Sequence, residues 1–168
     1  MEQKKLDSFL EENQCTGWIC PSKSPIAALV FFIKKKNSLL WLVQDYYALN
    51  SMMVKNKYPL PLISELISQL CGARSFTKLD VCWGFNNIHI KPGDQWKVAF
   101  QTNRGMFKLL VMFSGMTNSP ATFQTIMNNI FQDLIAESIM VVYLDNILIF
   151  TRMEEEHAKA IWWILQIL

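Results

Sequence analysis

The stretch from Ile139 to Thr151, IMVVYLDNILIFT, constrains the fold of this chain more than any other. Two apolar runs rich in β-forming residues, 140–144 and 147–150, are each long enough for a short strand. Only Asp145 and Asn146 lie between them, and these residue types tolerate the backbone angles of a two-residue hairpin turn. The sequence therefore predicts a β-hairpin with Asp145–Asn146 as its turn.

This turn has two interpretations. Asp-Asn is common turn chemistry, and taken alone it indicates nothing more. A carboxylate at the tip of a hairpin is also held rigidly at one point, as a metal ligand must be. Asp80 is a candidate partner, because it ends another strand-like run, 76–80. The spacing alone is a weak indication, because aspartates near strand ends occur in any globular α/β protein.

Length and composition allow one domain, or a compact domain in two lobes. The chain has 168 residues, 51% hydrophobic and 12% aromatic, so it can bury a core. The apolar run 26–33 suits a buried strand, since a membrane span needs about 20 residues. The charged start, MEQKKLDSFLEEN, argues against a signal peptide. We therefore expect an intracellular protein, cytoplasmic or nuclear, that is not secreted and has no membrane partner.

The charge of the chain is small but unevenly distributed. The net charge is +2, and Lys and Arg outnumber Asp and Glu only up to Tyr58, by eight to five. The run Lys34-Lys35-Lys36 is the densest basic point. Such a triplet after a strand is usually a solvated turn. Phosphate binding is the alternative, and it needs other observations.

Hydrophobic periodicity predicts a mixed order of helices and strands. Helices are predicted at 2–13, 58–72, from Ser119-Pro120 onwards, and 154–168. Strands are predicted at 26–33, 39–43, 76–80, 88–90, 97–101 and 107–112, besides the hairpin.

Two of these helices carry apolar stripes that predict a buried face. The stronger pattern follows Ser119-Pro120 and consists of Phe123, Ile126, Met127, Ile130, Phe131 and Leu134. The weaker one, in the helix predicted at 58–72, consists of Leu62, Leu66, Ile67 and Leu70.

Two carboxylates on separate strands suit one kind of chemistry in particular. Phosphoryl transfer by two divalent ions requires two or three carboxylates that converge on metals roughly 3.5–4 Å apart. Carboxylate oxygens are the ligands that Mg²⁺ prefers. Asp80 and Asp145 are the candidates for such a site.

At this point the motifs amount to a family resemblance. The chain resembles the fingers and palm of a reverse transcriptase from the Pol polyprotein of gypsy-type LTR retrotransposons. The similar segments cover nearly the whole chain in the family's order: PSKSPIAALVFFIKKK, LVQDYYALN, YPLPLISELISQL, GARSFTKLDVCWGFNNIHIKPGDQWKVAFQTNRG, GMTNSPATFQTIMN and VVYLDNILIF.

The resemblance implies a fold and an activity. The fold is of the α+β class: a right-hand polymerase palm, with an antiparallel sheet packed on helices, and a β-rich fingers subdomain. The chain is then a single reverse transcriptase domain fragment over 1–168, with fingers at 1–51 and 88–118 and palm at 52–87 and 119–168. The activity is RNA-directed DNA synthesis, which transfers nucleotides from dNTPs onto a primer 3′-hydroxyl.

The same resemblance implies partners and cofactors. They are an RNA or DNA template with its primer, and Mg²⁺, with Mn²⁺ as a substitute. Such polyproteins also carry a thumb, an RNase H and an integrase, which we expect to be missing from these 168 residues.

Residue roles are carried over from the family by position. Asp80, Asp145 and Asn146 occupy the catalytic positions, and Asp80, Asp145 and the Val81 carbonyl occupy the metal-binding ones. The nucleotide-binding positions are held by Lys35, Trp41, Phe85, Ser114 and Gly115. Template or primer contacts fall on Pro120 and Gln124. Phe85 matches the aromatic ring that excludes a 2′-hydroxyl, although without the motif it reads equally well as a core residue.

Several of these positions depart from the family pattern. Asn146 replaces the second aspartate of the hairpin, and an amide oxygen is a neutral, weaker ligand for a hard dication. Trp41 and Tyr47 replace arginines, and neither can hold a phosphate as a guanidinium does. Ser114 replaces a bulkier residue. We therefore expect a degenerate copy whose activity is reduced at least about a hundred-fold. The alternatives are a non-catalytic nucleic-acid-binding remnant and a pseudogene product without a function.

Overall fold

The computed structural model describes residues 2–34 and 40–168. Lys35 and Lys36 lie outside the described residues, as does residue 39 of the strand predicted at 39–43. The chain divides into two compact units, each assembled from two separate stretches. Unit 1 consists of Met1–Lys55 and Phe85–Ser119, and unit 2 consists of Asn56–Gly84 and Pro120–Leu168.

The secondary structure mixes helices and strands along the whole chain. The helices are α1 (Glu2–Cys15), α2 (Tyr47–Met52), α3 (Ile63–Gln69), α4 (Ser119–Ile130), α5 (Gln132–Ala136) and α6 (Glu154–Ile167). The strands are β1 (Ile19–Pro21), β2 (Ala28–Lys34), β3 (Leu40–Gln44), β4 (Ser75–Asp80), β5 (Ala99–Thr102), β6 (Gly105–Leu109), β7 (Met140–Tyr143) and β8 (Asn146–Thr151). Short 3₁₀ segments occur at Gly84–Asn87 and Gln95–Val98.

Unit 1 is built on a five-stranded sheet. Its strand order is β1-β6-β5-β2-β3, and β2 and β5 run parallel while the other neighbours are antiparallel. Leu6 and Leu10 of α1 are both buried, since residues four apart lie on one face of a helix. Phe100 and Leu109 of the sheet are completely buried. Burial of these side chains is the main force that holds the unit together.

Unit 2 is built on a three-stranded antiparallel sheet of order β4-β8-β7. Side chains alternate between the two faces of a strand, and Ile147 and Ile149 of β8 point to the same, completely buried face. α6 packs on β4 and β8, while α5 contacts β7. Leu134 of α5 and Ile164 of α6 are also buried in this core, as is Phe131 between α4 and α5.

The stripe predicted in the helix after Ser119-Pro120 is confirmed for most of its residues. Phe123, Met127, Phe131 and Leu134 are buried, although Ile130 is half exposed. The predicted helix is interrupted at Phe131, which separates α4 from α5. By contrast, the buried stripe predicted for the helix at 58–72 is wrong. Helix α3 spans only Ile63–Gln69, and none of its residues is buried, because two turns on the surface of the unit leave their apolar side chains uncovered.

The hairpin predicted at 139–151 is present, but its turn is displaced by one residue. Tyr143 pairs with Asn146 across β7 and β8, so the turn residues are Leu144 and Asp145 rather than Asp145 and Asn146. Leu144 adopts the left-handed conformation, with φ of +54°. That angle is unfavourable for leucine, and a residue holds it only when its surroundings fix it.

Other local predictions fail for identifiable reasons. Residues 88–90 form no strand, and only His89 bridges to Val111. The strand β1 lies where neither a helix nor a strand was predicted, because three residues give too short a pattern to recognise. Among the described residues, no helix is long and apolar enough to cross a membrane.

Candidate active site

The register of unit 2 brings the predicted acidic positions to one end of its sheet. Asp80, the last residue of β4, lies directly opposite Asn146, the first residue of β8. Directly opposed residues of antiparallel strands have Cβ atoms about 4.5–5.5 Å apart and point to the same face. Asn146 also pairs with Tyr143 of β7, so the three strands align their ends here.

A backbone hydrogen bond extends this pairing beyond the strands. The Val81 N–H donates to the carbonyl oxygen of Asp145 at 2.8 Å. Val81 is thereby fixed beside the turn, and its neighbour Asp80 with it. The structure thus brings together Asp80, Val81, Asp145 and Asn146, which the sequence places 65 residues apart.

The side chains at this end differ in exposure and in pairing. Asp80 is exposed, whereas Asp145 and Asn146 are half-buried. The Asn146 amide Nδ2 donates to Asp145 Oδ1 at 3.0 Å. One carboxylate oxygen is therefore engaged by a neutral donor, at the position for which the resemblance implies a second carboxylate.

The donor set at this end suits a hard divalent cation in part. Two carboxylates and a backbone carbonyl are ligands that Mg²⁺ accepts. In the described part of the chain, no group of three His, Cys, Asp or Glu side chains is gathered as a metal site. The amide of Asn146 stands where a third acidic group would complete such a set.

Two consecutive residues of α4, Phe123 and Gln124, lie next to the hairpin turn and its neighbouring segment. Gln124 is completely buried and hydrogen-bonds the backbone on both sides of Tyr143. Phe123 lies against Gly84, where an added Cβ would meet its Cζ at 2.8 Å and the Asp145 Cβ at 3.6 Å. A side chain at this position requires the ring or the backbone to shift, because real Cβ atoms do not approach other heavy atoms this closely. Sequence reasoning missed Gly84 and predicted Phe123 only as a core residue, since nothing in their spacing shows that they meet.

The buried position of Gln124 differs from the role predicted from the resemblance. A side chain with no exposed surface has no contact area to offer a template or primer. Pro120, the other residue predicted to contact template or primer, is the second residue of α4 and is half-buried.

Of the residues predicted to bind nucleotide, the four that the structure describes belong to unit 1. Trp41 lies on β3 opposite Ile33 of β2 and is 43% exposed. Phe85 belongs to the 3₁₀ segment Gly84–Asn87 and is half-buried. Ser114 and Gly115 are exposed in the loop that precedes α4.

The side chain of Asn50, at the end of α2, organises this loop. Its Nδ2 donates to the Gly115 carbonyl at 2.8 Å, and its Oδ1 accepts from the Thr117 N–H at 2.9 Å. Gly115 has φ of +104°, a conformation that side chains other than glycine's rarely adopt. Sequence reasoning did not single out Asn50 either, because nothing in the sequence near a short polar residue of a helix shows that it binds a distant loop.

The architecture defines the class of protein. The foamy viral protease–reverse transcriptase in complex with an RNA/DNA hybrid matches 98% of this chain with a TM-score of 0.89, at 20% identity over 22% of its own length. The form in complex with double-stranded DNA gives 0.88 over 97% of this chain and 28% of its own. The fold is therefore the mixed α+β fold of the reverse transcriptase fingers and palm, which confirms the predicted fold class.

Sequence comparison then gives the family. The profile of "Reverse transcriptase (RNA-dependent DNA polymerase)" matches residues 33–168, and the chain belongs to this family. The Transposon Tf2-7 and Tf2-3 polyproteins of Schizosaccharomyces pombe are 42% and 41% identical to it over 165 residues. These alignments cover 98% of this chain and 12% of each polyprotein. The chain is thus homologous to the reverse transcriptase part of Ty3/gypsy-type LTR retrotransposon polyproteins, as the resemblance predicted.

Proposed function

We propose that this chain is the fingers-and-palm part of an RNA-directed DNA polymerase whose catalytic centre lies at Asp80 and Asp145. The observation that carries the proposal is the register of β4 and β8, which sets Asp80 opposite Asn146 and beside the Asp145 turn. Unit 1 corresponds to the fingers and unit 2 to the palm in this proposal.

Asp80, Asp145 and the Val81 carbonyl are the groups that would hold Mg²⁺ or Mn²⁺. When bound, such ions lower the pKa of a hydroxyl nucleophile and neutralise the charge of a departing pyrophosphate. The protein's own contribution is to keep two carboxylates fixed at one end of a rigid sheet. Preorganised charges of this kind cost no reorganisation when the reaction takes place.

The substrates that we propose are a dNTP and a primer paired with an RNA or DNA template. We assign Phe85 to the sugar of the nucleotide, where a half-buried ring would reject a 2′-hydroxyl by contact. Lys35, Trp41, Ser114 and Gly115 are assigned to the nucleotide, and Pro120 to the template or primer. These assignments follow the family positions, and Gln124 is removed from the last group because it is buried.

The same geometry supports reduced activity in this copy. Asn146 brings a neutral amide to the position opposite Asp80, and its N–H group occupies an oxygen of Asp145. Trp41 and Tyr47 present aromatic rings where a guanidinium would pair with phosphate. We propose that these three residues together keep nucleotide incorporation at least about a hundred-fold below that of an intact relative.

Primer extension tests the proposal. The chain, its triple variant Asn146→Asp/Trp41→Arg/Tyr47→Arg, and the triple variant carrying Asp80→Asn are compared with Mg²⁺ and with Mn²⁺. Each is also placed in the Tf2-7 polyprotein in exchange for the segment that it matches. We expect incorporation by the triple variant at least about a hundred-fold above the unmodified chain, and none once Asp80 is replaced. No incorporation by the triple variant within the completed polyprotein would contradict the proposal.

A second candidate function is nucleic-acid binding without catalysis. Leu29, Phe31 and Ile33 alternate along β2 and are 43–68% exposed, and Trp41 opposite Ile33 shares their face. Exposed Lys34 follows directly. Aromatic rings beside basic groups stack bases and attract the phosphate backbone of single strands.

A salt-dependent titration separates the two candidates. Trp41→Ala is compared with Tyr47→Ala, an aromatic residue on α2 that is 82% exposed. The second candidate is supported if the chain binds a single-stranded oligonucleotide and if salt and Trp41→Ala both weaken this binding. It also requires that the triple variant extends no primer.

A further inference from the structure

The side chain of Gln124 lies in the core of unit 2, and its polar groups form hydrogen bonds with the hairpin backbone and with Asn128. It is completely buried. Its Nε2 donates to the Val142 carbonyl oxygen at 3.0 Å and to Asn128 Oδ1 at 2.9 Å. Its Oε1 accepts the Leu144 N–H at 2.8 Å. Both donor protons and the acceptor oxygen of the amide are thus used.

The backbone partners fix the orientation of this amide. Leu144 N–H can only donate and the Val142 carbonyl can only accept, so the oxygen of Gln124 must face Leu144 and its nitrogen must face Val142. At the end of β7, the Gln124 side chain therefore provides the hydrogen bonds that a neighbouring strand would otherwise provide. Without it, the Val142 carbonyl would lose its partner in a buried place and the Leu144 N–H in a partly buried one, which is costly.

Leu144 is the residue that most needs such a partner. It is the first turn residue of the hairpin and has φ of +54°. Leucine adopts that angle only under constraint. Asp145 follows it directly, so the torsion angles of Leu144 determine where the Asp145 carboxylate points.

The position of Gln124 is itself fixed by a second polar contact. Asn128, one helical turn further along α4, accepts from Gln124 and donates through Nδ2 to the Tyr58 hydroxyl at 2.8 Å. All of these groups belong to unit 2. A chain of partly buried hydrogen bonds thus connects Tyr58 through α4 to the hairpin turn.

We propose that Gln124 is a positioning residue that holds Leu144 in its left-handed conformation and thereby sets the Asp145 carboxylate for metal binding. The inference rests on the proposed function in one respect, namely that Asp145 is a metal ligand. Outer groups that orient a ligand commonly change metal affinity 10–100-fold when they are removed.

The first test compares Gln124→Met with Thr125→Val. Methionine keeps the volume but has no amide, whereas Thr125 donates only to Ala121 within α4, at 2.8 Å. Amide hydrogen exchange of the full 168-residue chain is followed residue by residue by NMR. We expect the Leu144 amide to exchange roughly tenfold faster in Gln124→Met, with β4 and β8 amides unchanged, and no change at Leu144 in Thr125→Val. A Leu144 amide that stays protected in Gln124→Met overturns the proposal.

The second test measures Mn²⁺ affinity by the electron paramagnetic resonance of the free ion. Gln124→Met is expected to weaken binding roughly tenfold, and Thr125→Val to leave it unchanged. Equal affinities of the two variants overturn the proposal, provided that Asp145→Asn abolishes the same binding. If Asp145→Asn binds Mn²⁺ as the unmodified chain does, the proposed metal site has failed, and the Leu144 exchange alone decides whether Gln124 sets the turn.

A third measurement needs no variant and covers the case in which Gln124→Met does not fold. Mg²⁺ is titrated into the unmodified chain while the side-chain amide of Gln124 and the backbone amides of Leu144 and Asp145 are observed by NMR. Shifts of all three signals with one apparent Kd support the proposal. A shift of Asp145 while the Gln124 side chain stays unchanged overturns it.

Discussion

Asp80 faces an amide, because Asn146 occupies the directly opposed position on β8. Asn146 turns its Nδ2 toward Asp145, at 3.0 Å from Oδ1. We therefore expect the amide at this position to stabilise the chain when no cation is bound, because it adds no third negative charge. An aspartate at the same position would add a negative charge, which would increase the repulsion and destabilise the site without a cation.

Asn146→Asp is expected to lower the stability of the metal-free chain and to raise its affinity for metal. Without metal, three crowded carboxylates should lower the Tm below that of the unmodified chain, since like charges repel. Saturating Mn²⁺ should raise the Tm of the variant more than that of the unmodified chain, because binding to the folded state alone stabilises it. We expect an Mn²⁺ affinity at least about tenfold higher, measured by calorimetry.

The control for this substitution is Asn129→Asp, which adds the same charge at an exposed position of α4. A response to Mn²⁺ that is equal in the two variants would show that charge alone, and not the position opposite Asp80, is responsible.

Gly84→Ala is expected to destabilise unit 2 by about 1–3 kcal/mol, as overpacking does. The added Cβ would lie 2.8 Å from Phe123 Cζ, so the ring or the 3₁₀ segment must shift. Urea unfolding monitors the free energy of unfolding. Phe123→Leu removes the contacting ring atom, and the double variant should recover part of the loss. A double variant whose loss equals the sum of the two single losses argues against this contact.

His157→Ala is expected to cost about 2–4 kcal/mol of unfolding free energy, since it removes one buried and one partly buried hydrogen bond and leaves a cavity. Thr151 Oγ1 donates to the Met153 carbonyl at 3.0 Å, so it accepts from His157 Nδ1 at 3.1 Å. The remaining nitrogen, Nε2, then accepts the hydroxyl of Thr77 at 2.9 Å. The ring thereby joins β4 to β8.

Lys159→Ala serves as the comparison for His157, because Lys159 is exposed on the same helix. Chemical denaturation gives both values. A loss in His157→Ala no larger than that in Lys159→Ala would mean that the histidine does not join the strands.

The Asp7–Arg104 ion pair is expected to make unit 1 sensitive to acid. Arg104 Nε and Nη2 donate to the two carboxylate oxygens at 2.8 and 2.9 Å, and this contact lowers the pKa of Asp7 below its usual 3.8. A carboxyl with a lowered folded pKa stabilises the protein above about pH 3.8 and loses that contribution as the pH falls through the folded value. Both partners are half exposed, so the effect is small.

Asp7→Asn tests this dependence. Between about pH 5 and pH 2, the unmodified chain should lose more stability than the variant, and the two should approach each other at the acidic end. Glu11→Gln, an exposed carboxyl on the same helix, should show no such convergence. Thermal unfolding across this pH range provides the measurement.

The part of the site that could be predicted is the part that local sequence encodes. The run IMVVYLDNILIFT predicts a hairpin because its apolar residues and its turn residues are contiguous. The register of its turn could not be predicted, since the Leu144 N–H is satisfied by Gln124, which lies 20 residues earlier and which no local pattern connects with it. Local turn preference favours Asp-Asn, whereas the structure has Leu144 and Asp145 in the turn.

The same limit applies to burial. The stripe around Phe123 predicts a core face correctly, whereas the similar stripe around Leu66 lies on the surface. Periodicity shows which face of a helix is apolar, but not whether any other element covers it. Gly84 illustrates a further limit. A side chain is unfavourable at this position only because Phe123 packs against it, and that contact exists only in the folded structure.

β8 is the central strand of its sheet and, among the described residues, the last strand in chain order. During synthesis on the ribosome, β4 emerges early and has no sheet partner until β8 follows, after all of the second stretch of unit 1. The exposed edge of β4 is therefore open to wrong partners for that interval, as unpaired strands are. Asp80 and Asp145 can therefore come together only after β8 has been synthesised and has joined β4.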